Sequence, residues 1–418
     1  MADVKLSAPI ATADRVFGFR DQSSLWFSLG VGLLVMQIGA YLVPGLNPKM
    51  AALAILVGSV VGSAILAFTA RLGQETGRSS GELIQIAFGS RFGQLPVLLN
   101  VIQLIGWGAF EIAIMRDSST AVLKQWTGVD NAIFPLATTA LWGGILLLLM
   151  LGSMTSLVRK FLSRVGLPLV ILSLLWLTFY FIGATAEKGW ANFWATEGTG
   201  ETSFLSAVDL VIAMPVSWLP LVADYARYGR TASGTTSGTF IGYVIANLWC
   251  YALGVLVIMN QPSEDLVTGL LLAQFGLIAL SLIVLDELDN AYGDLHSGAV
   301  STQSLFSGLS LVHRGLILGV LSIVVASAID MHAIEPFLLI LSSIFVPLFG
   351  VMLARYQSIK TASTAVHLPS IQFGATAAWI VGIATYHATA QWWPDAGSAL
   401  PSLAAAFILA KILPIHRA

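Results

Sequence analysis

"FLSAVDLVIAMPVSWLPLVADYARY" (residues 204–228) is apolar and long enough to cross a bilayer, yet Pro215 and Pro220 lie in its interior. Proline removes a helical hydrogen bond and crowds the preceding turn. The backbone groups it frees are tolerated in hydrocarbon only where protein buries them or a wet cavity meets them. A second stretch, "LWFSLGVGLLVMQIGAYLVPG" (25–45), has the same character, with Gly30, Gly32, Gly39 and a terminal Pro44. The two are the first and sixth apolar spans of the chain. Interrupted spans at matching places of two halves point to a five-plus-five inverted-repeat transporter with a central site. The opposing reading is that Gly and Pro are simply common in membrane helices.

Composition puts most of the chain in a bilayer. Of 418 residues 56% are hydrophobic and only 10% charged, and the mean hydropathy is +0.83. A soluble chain carries roughly a quarter of its residues as charges. A net charge of −2 indicates no nucleic-acid footprint. Cys250 is the single cysteine, which excludes a disulfide within the chain. The opening "MADVKLSAPIATADRVFGFRDQ" is too polar and too mixed in charge for a cleavable signal peptide.

A spanning helix needs about 20 mostly apolar residues. That ruler predicts twelve spans, near 23–44, 50–72, 95–120, 132–153, 162–184, 204–226, 238–260, 268–297, 309–329, 335–356, 371–388 and 397–414. All belong to one transmembrane domain, with a first repeat over about 23–184, a second over about 204–356 and extra helices over about 371–414. The longest interruption, 186–203, reads as an interfacial loop carrying Trp190, Phe193 and Trp194 at headgroup depth. Placing both termini in the cytoplasm puts sixteen of the twenty Lys and Arg residues on that side and leaves Lys49, Arg116, Lys124 and Lys188 outside.

Polar groups inside a membrane are costly, so each is a functional candidate. Span 3 contains "NVIQLIGWGAFEIAI", in which Gln103 and Trp107 share a helix face. A flat heterocycle stacked on Trp107 with its edge read by Gln103 fits this pair. A packing tryptophan beside an interhelical glutamine bond fits it equally. Glu111 reads as lying near a helix end or paired. In span 8, Asp286, Asn290, Gly293, Asp294 and Ser297 fall within about 100° on a helical wheel, flanked by Glu287 and Asp289. A helix starting near Leu270 reaches the far surface only near residue 290, so Asp286 and Glu287 should lie within the hydrocarbon slab. At the end of span 6, Asp224 and Arg227 are spaced to pair as an anchor and inner gate. Asp209 reads as a polar residue on the outer approach. No nucleotide-binding, metalloprotease, hydrolase or calcium-loop motif is present, and the six histidines share no metal-ligand spacing, so no catalytic residue, metal or cofactor is expected.

"SWLPLVADYARY" (217–228), "NVIQLIGWGAF" (100–110) and "DNAYGDLHSGAVS" (289–301) resemble the nucleobase–cation symporter family, in particular its bacterial cytosine-permease and hydroxymethylpyrimidine-permease branch. The likeness runs over nearly the whole chain. It implies an all-α, twelve-helix LeuT-like fold of five-plus-five inverted repeats with two extra C-terminal helices. It also implies a substrate held between spans 1, 3, 6 and 8, in a bacterial cytoplasmic membrane. Carried over, Trp107 is the ring-stacking tryptophan with Gln103 as its amide. Met214 and Pro215 fall at the break of span 6, and Gln37, Ile38 and Gly39 at the break of span 1. Leu288, Asp289 and Asn290 form the polar run against the base. Sodium-coupled members place two small hydroxyl residues just before that run, where this chain has Asp286 and Glu287.

The expected function is therefore import of a nucleobase-like small molecule, coupled to protons or sodium, with lipid as the other contact. Two adjacent carboxylates inside a membrane cannot both stay charged cheaply, which favours a carried proton. Sodium bound by a carboxylate oxygen is the competing view. The alternative function is a membrane-embedded enzyme acting on a lipid-like substrate through the acidic cluster of span 8. That enzyme would want metal-spaced carboxylates or a histidine-rich motif, which 286–294 lacks. A channel would need a pore that is polar from end to end.

Overall fold

A computed structural model describes residues 8–152, 167–262, 265–304, 308–362 and 368–414. Each of the twelve expected spans meets a helix or a helix pair. Span 1 is α1 (Phe19–Gly30) with α2 (Leu33–Tyr41). Span 2 is α3 (Pro48–Thr76), followed by a connecting helix α4 (Ser80–Phe88). Spans 3, 4 and 5 are α5 (Gln94–Thr127), α6 (Ile133–Leu149) and α7 (Leu167–Lys188). A short helix α8 (Trp190–Ala195) occupies the expected interfacial loop, and residues 162–166 of the expected span 5 lie outside the described residues. Span 6 is α9 (Phe204–Ser217) with α10 (Leu219–Ala226), and span 7 is α11 (Ala232–Asn260). Span 8 is α12 (Leu266–Leu271) with α13 (Gly276–Ser301). Spans 9 to 12 are α14 (Leu311–Ala326), α15 (Ile334–Ala354), α17 (Phe373–Trp392) and α18 (Ala399–Ile412), with α16 (Tyr356–Lys360) between the second and third of these. Among the described residues six helices are each long and apolar enough to cross a membrane, and the bent α1–α2 pair makes a seventh.

Two helical groups pack face to face. One contains α1, α2, α3, α9, α10 and α11; the other contains α5, α6, α13 and α14. Helix α7 touches both groups, while α15, α17 and α18 pack together and lean on α9. The segment before span 1 is tied to the end of span 6: Phe17 N donates to Tyr228 O at 2.9 Å, and Arg230 N donates to Phe17 O at 2.8 Å.

Span 1 is broken, with its two helices bent by 56°. The break falls at Gly30–Val31–Gly32 rather than at Gln37–Ile38–Gly39, which lie inside α2. A Cβ on Gly30 would come within 2.9 Å of Ala246 Cβ in span 7, and one on Gly32 within 2.9 Å of Glu287 Oε1 in span 8. Only glycine lets both neighbours approach, so the chain opens there. Gly39 is small for a different reason, because the backbone of Tyr251 passes against it.

Span 6 departs from expectation too. The helix runs through Pro215, and the irregularity sits at Trp218, between α9 and α10. The carbonyl that Pro215 leaves without its usual donor, Val211 O, accepts the Tyr251 hydroxyl at 3.1 Å. That substitute bond keeps the helix intact at Met214–Pro215. Further along, Ser217 O accepts Gln103 Nε2 at 3.4 Å and Pro220 O accepts Asn100 Nδ2 at 3.3 Å. Polar side chains of span 3 thus serve the backbone of span 6.

The long helix of span 8 starts later than the expected 268, because the chain turns at Phe275 (φ +57°) between α12 and α13. At 1.5 Å per residue, Glu287 lies about 16 Å along that helix, half the depth of a hydrocarbon core.

Candidate functional site

The broken span exposes backbone groups at mid-membrane, and α13 answers them. Leu33 N, at the opening of α2, donates to Glu287 Oε1 at 2.5 Å. Asn290 Nδ2 donates to Val31 O and to Glu287 Oε2, both at 3.3 Å. Glu287 is fully buried. Its carboxyl group therefore sits at the N-terminus of α2, where backbone N–H groups point outward.

Beside this junction is a chamber lined by Gly32, Trp107, Glu111, Met214, Trp218, Glu287, Asn290 and Asp294, among others. It leaves about 10 Å³ for the centre of a water molecule, room for roughly one water. The chamber is small, and any larger guest needs its walls to part. Spans 1, 3, 6 and 8 all contribute. Trp107 is wedged by Phe337 of span 10, whose ring centroid lies 5.3 Å away at 74°, and its Nε1 has no partner among the described residues. Trp218 packs edge-on against Trp26, with centroids 6.1 Å apart.

Several expected site residues stand elsewhere. Gln103 is buried but does not line the chamber; its amide nitrogen is spent on Asn100 Oδ1 at 3.0 Å and on Ser217 O. Pro215 packs against Gly62 of span 2. Gln37, Ile38 and Gly39 lie beyond the break, away from the lining. On α13 the chamber meets Glu287, Asn290 and Asp294, which fall within about 60° on the wheel. The polar stripe is thus turned toward Glu287. Asp289 and Leu288, buried, lie outside the lining, and the side chain of Asp286 is outside the described residues.

Glu111 lies mid-way along α5 on the chamber wall, not near a helix end. Trp218 was not singled out from sequence, although its position between Pro215 and Pro220 marks it. Asp209 is a helix cap: its Oδ2 accepts Ser398 N, and Ala399 N at 2.9 Å, at the start of α18.

The expected Asp224–Arg227 pair takes another form. Arg227 Nε donates to the backbone carbonyl of Asp224 at 3.2 Å, and its guanidinium lies over the Tyr228 ring. The Asp224 carboxylate instead accepts Ser80 N at 2.9 Å and the Ser297 hydroxyl. Ser80 Oγ in turn accepts Ala223 N at 3.2 Å. One buried carboxylate thereby clasps α10 of one helical group to α13 of the other, with α4 between them.

A multi-pass bundle with one span broken at mid-membrane, beside a small chamber that mixes indole and aliphatic walls with carboxylates and an amide, defines a membrane transporter rather than an enzyme. The chain belongs to the family described as permeases for cytosine/purines, uracil, thiamine and allantoin, whose model matches residues 9–407. It is 24% identical to the cytosine permease of Escherichia coli K12 over 384 residues, covering 86% of this chain and 82% of that one. It is 22% identical to the purine-cytosine permease of Saccharomyces cerevisiae over 326 residues, or 70% of this chain and 58% of that longer protein. The fold matches Mhp1, a nucleobase-cation-symport-1 family transporter, in a closed conformation with bromovinylhydantoin bound. That match has a TM-score of 0.80 at 15% identity and covers 97% of this chain and 93% of that one. A Na+-coupled sialic acid symporter matches at a TM-score of 0.64 and 13% identity, over 97% and 92% of the two chains. These two likenesses establish the fold, a LeuT-like polytopic bundle.

Proposed function

We propose that this transporter imports a planar nucleobase-like heterocycle, of the cytosine or hydroxymethylpyrimidine kind, across a bacterial cytoplasmic membrane. Both termini are cytoplasmic, and two inverted repeats over about 23–184 and 204–356 move against each other. The observation that carries this reading is that Trp107 and Trp218 line one chamber with the carboxylates Glu111 and Asp294 and the amide of Asn290. Indole faces hold a flat ring, while carboxylates and an amide read the donors and acceptors on its edge. The names of the relatives support the same substrate class. The test is thermal stabilisation of the purified protein by a panel of bases, since a ligand bound only to the native state raises its stability. Stabilisation by amino acids or sugars, and by no base, would overturn the assignment.

Coupling is to protons, through Glu287. In the closed state this carboxylate bridges the break of span 1 to span 8, at a depth where an ionisable group is expensive unless paired. Opening of the chamber to water on one side lets it exchange a proton, and reclosure returns it to Leu33 N. Asp286 is the second acid of the pair read from sequence. Uptake driven by an imposed pH gradient without sodium tests this step; accumulation that needs sodium and ignores pH assigns the site to the metal ion instead.

A further inference from the structure

By the count of spans, the starts of α1 and α14 and the end of α18 lie on one face of the membrane, because eight spans separate the first two and twelve the first and the last. At that face three helix ends meet: Gly315 of α14 lies beside Met150, just past α6, and beside Ala299 of α13. Arg314 sits in the opening turn of α14 and is only 6% exposed. Among the described residues neither its Nε nor its Nη1 has an acceptor.

A guanidinium buried in this way needs an anion. The segments whose ends meet here supply none. From Asn131 to Ala186, which includes span 4 and its following loop, the sequence has no Asp or Glu. From Leu295 to Ile329, which includes the end of span 8 and all of span 9, it has none either. The location compounds the deficit. A helix N-terminus carries partial positive charge, so a cation in its first turn is unfavourable there. Helical side chains lean toward the N-terminal end, which brings the guanidinium to the turn where the unpaired N–H groups of the helix point outward. The N-cap Ser310 accepts His313 N at 3.3 Å, so the turn is well formed.

We propose that Arg314 and the opening turn of α14 bind a phosphate-bearing anion where α6, α13 and α14 meet, on the membrane face that carries the chain ends. Guanidinium groups match the paired oxygens of phosphate, and basic pockets between membrane helices hold anionic lipid headgroups. The same chemistry is offered by inorganic phosphate in solution. The inference is independent of what the central chamber carries.

The test uses the full-length protein purified in a neutral detergent, with its unfolding temperature read against added dioctanoyl phosphatidylglycerol, dioctanoyl phosphatidylcholine or sodium phosphate. A saturating rise with phosphatidylglycerol alone supports the site and assigns a lipid; a similar rise with inorganic phosphate supports it and assigns a soluble anion. Arg314→Gln should raise the half-saturating concentration roughly tenfold or more. Should that variant not be recovered folded, Arg314→Lys replaces it, with weaker half-saturation expected because an ammonium does not match the phosphate fork. Equal effects of the two lipids, no effect of any anion, or an unchanged half-saturation in the variant used would overturn the proposal.

Discussion

Leu33 N and Glu287 Oε1 are 2.5 Å apart across the break in span 1, joining helices that belong to the two different packing groups. A single carboxylate thus ties the two groups together at the centre of the protein. Glu287→Gln keeps an oxygen that accepts from Leu33 N but cannot carry charge. The variant is expected to insert, bind and exchange substrate, and to lose accumulation driven by a pH gradient in proteoliposomes. Glu287→Ala should in addition destabilise the fold by roughly 1–3 kcal/mol, because it leaves a buried N–H unsatisfied. Full accumulation by Glu287→Gln would remove this residue from the coupling step.

Trp107→Ala and Trp218→Ala should each weaken binding of the transported base. Stacking of a base on an aromatic ring is worth about 1–3 kcal/mol, so the dissociation constant should rise roughly five- to over a hundred-fold. Gln103→Ala is expected to behave differently. Its side chain supports the carbonyl of Ser217, so it should lower the unfolding temperature with a smaller change in affinity. Titrations of the three variants with one base, followed by calorimetry, separate the two outcomes.

Asp224→Ala removes the clasp between α10, α4 and α13 and should favour opening on the side of the chain ends. A cysteine placed at Asn290 should then react faster with a thiol reagent supplied from that side. Arg227→Ala, which removes a bond to the Asp224 backbone carbonyl and a contact with the Tyr228 ring but leaves the bonds of the carboxylate in place, should leave the reaction rate close to that of the parent. Equal acceleration by both would mean that the arginine, not the carboxylate, holds the gate.

The orientation can be read with two further cysteines. Gln357 and Glu201 are exposed, whereas Gly198 is packed against Asn47 and Leu46 and would not tolerate a side chain. Gln357→Cys should label from the cytoplasmic side and Glu201→Cys from outside. The native Cys250 is buried and should stay silent. Labelling of both from one side would refute the count of spans between them.

The number of spans, the helical character of each and the interruption of span 1 were legible in the sequence, because run length, glycine and hydropathy act locally; the prolines of span 6 pointed to a break that the bundle does not make at Pro215. So was the acidic face of span 8, since its residues recur at helical spacing. Which residue on that face meets the break was decided by tertiary packing. Neighbouring residues on a helix differ by about 100°, so rotating α13 by that much exchanges Asp286 for Glu287, and local sequence carries no information about that rotation. The place of the break followed the same rule. Gly30, Gly32 and Gly39 are equivalent as sequence, and only the approach of Ala246, Glu287 and the Tyr251 backbone from distant spans gives each its separate reason to be glycine. Gln103 shows it most plainly: its position on the Trp107 face could be read from spacing, but its amide goes to a span 6 carbonyl that only the folded bundle brings within reach.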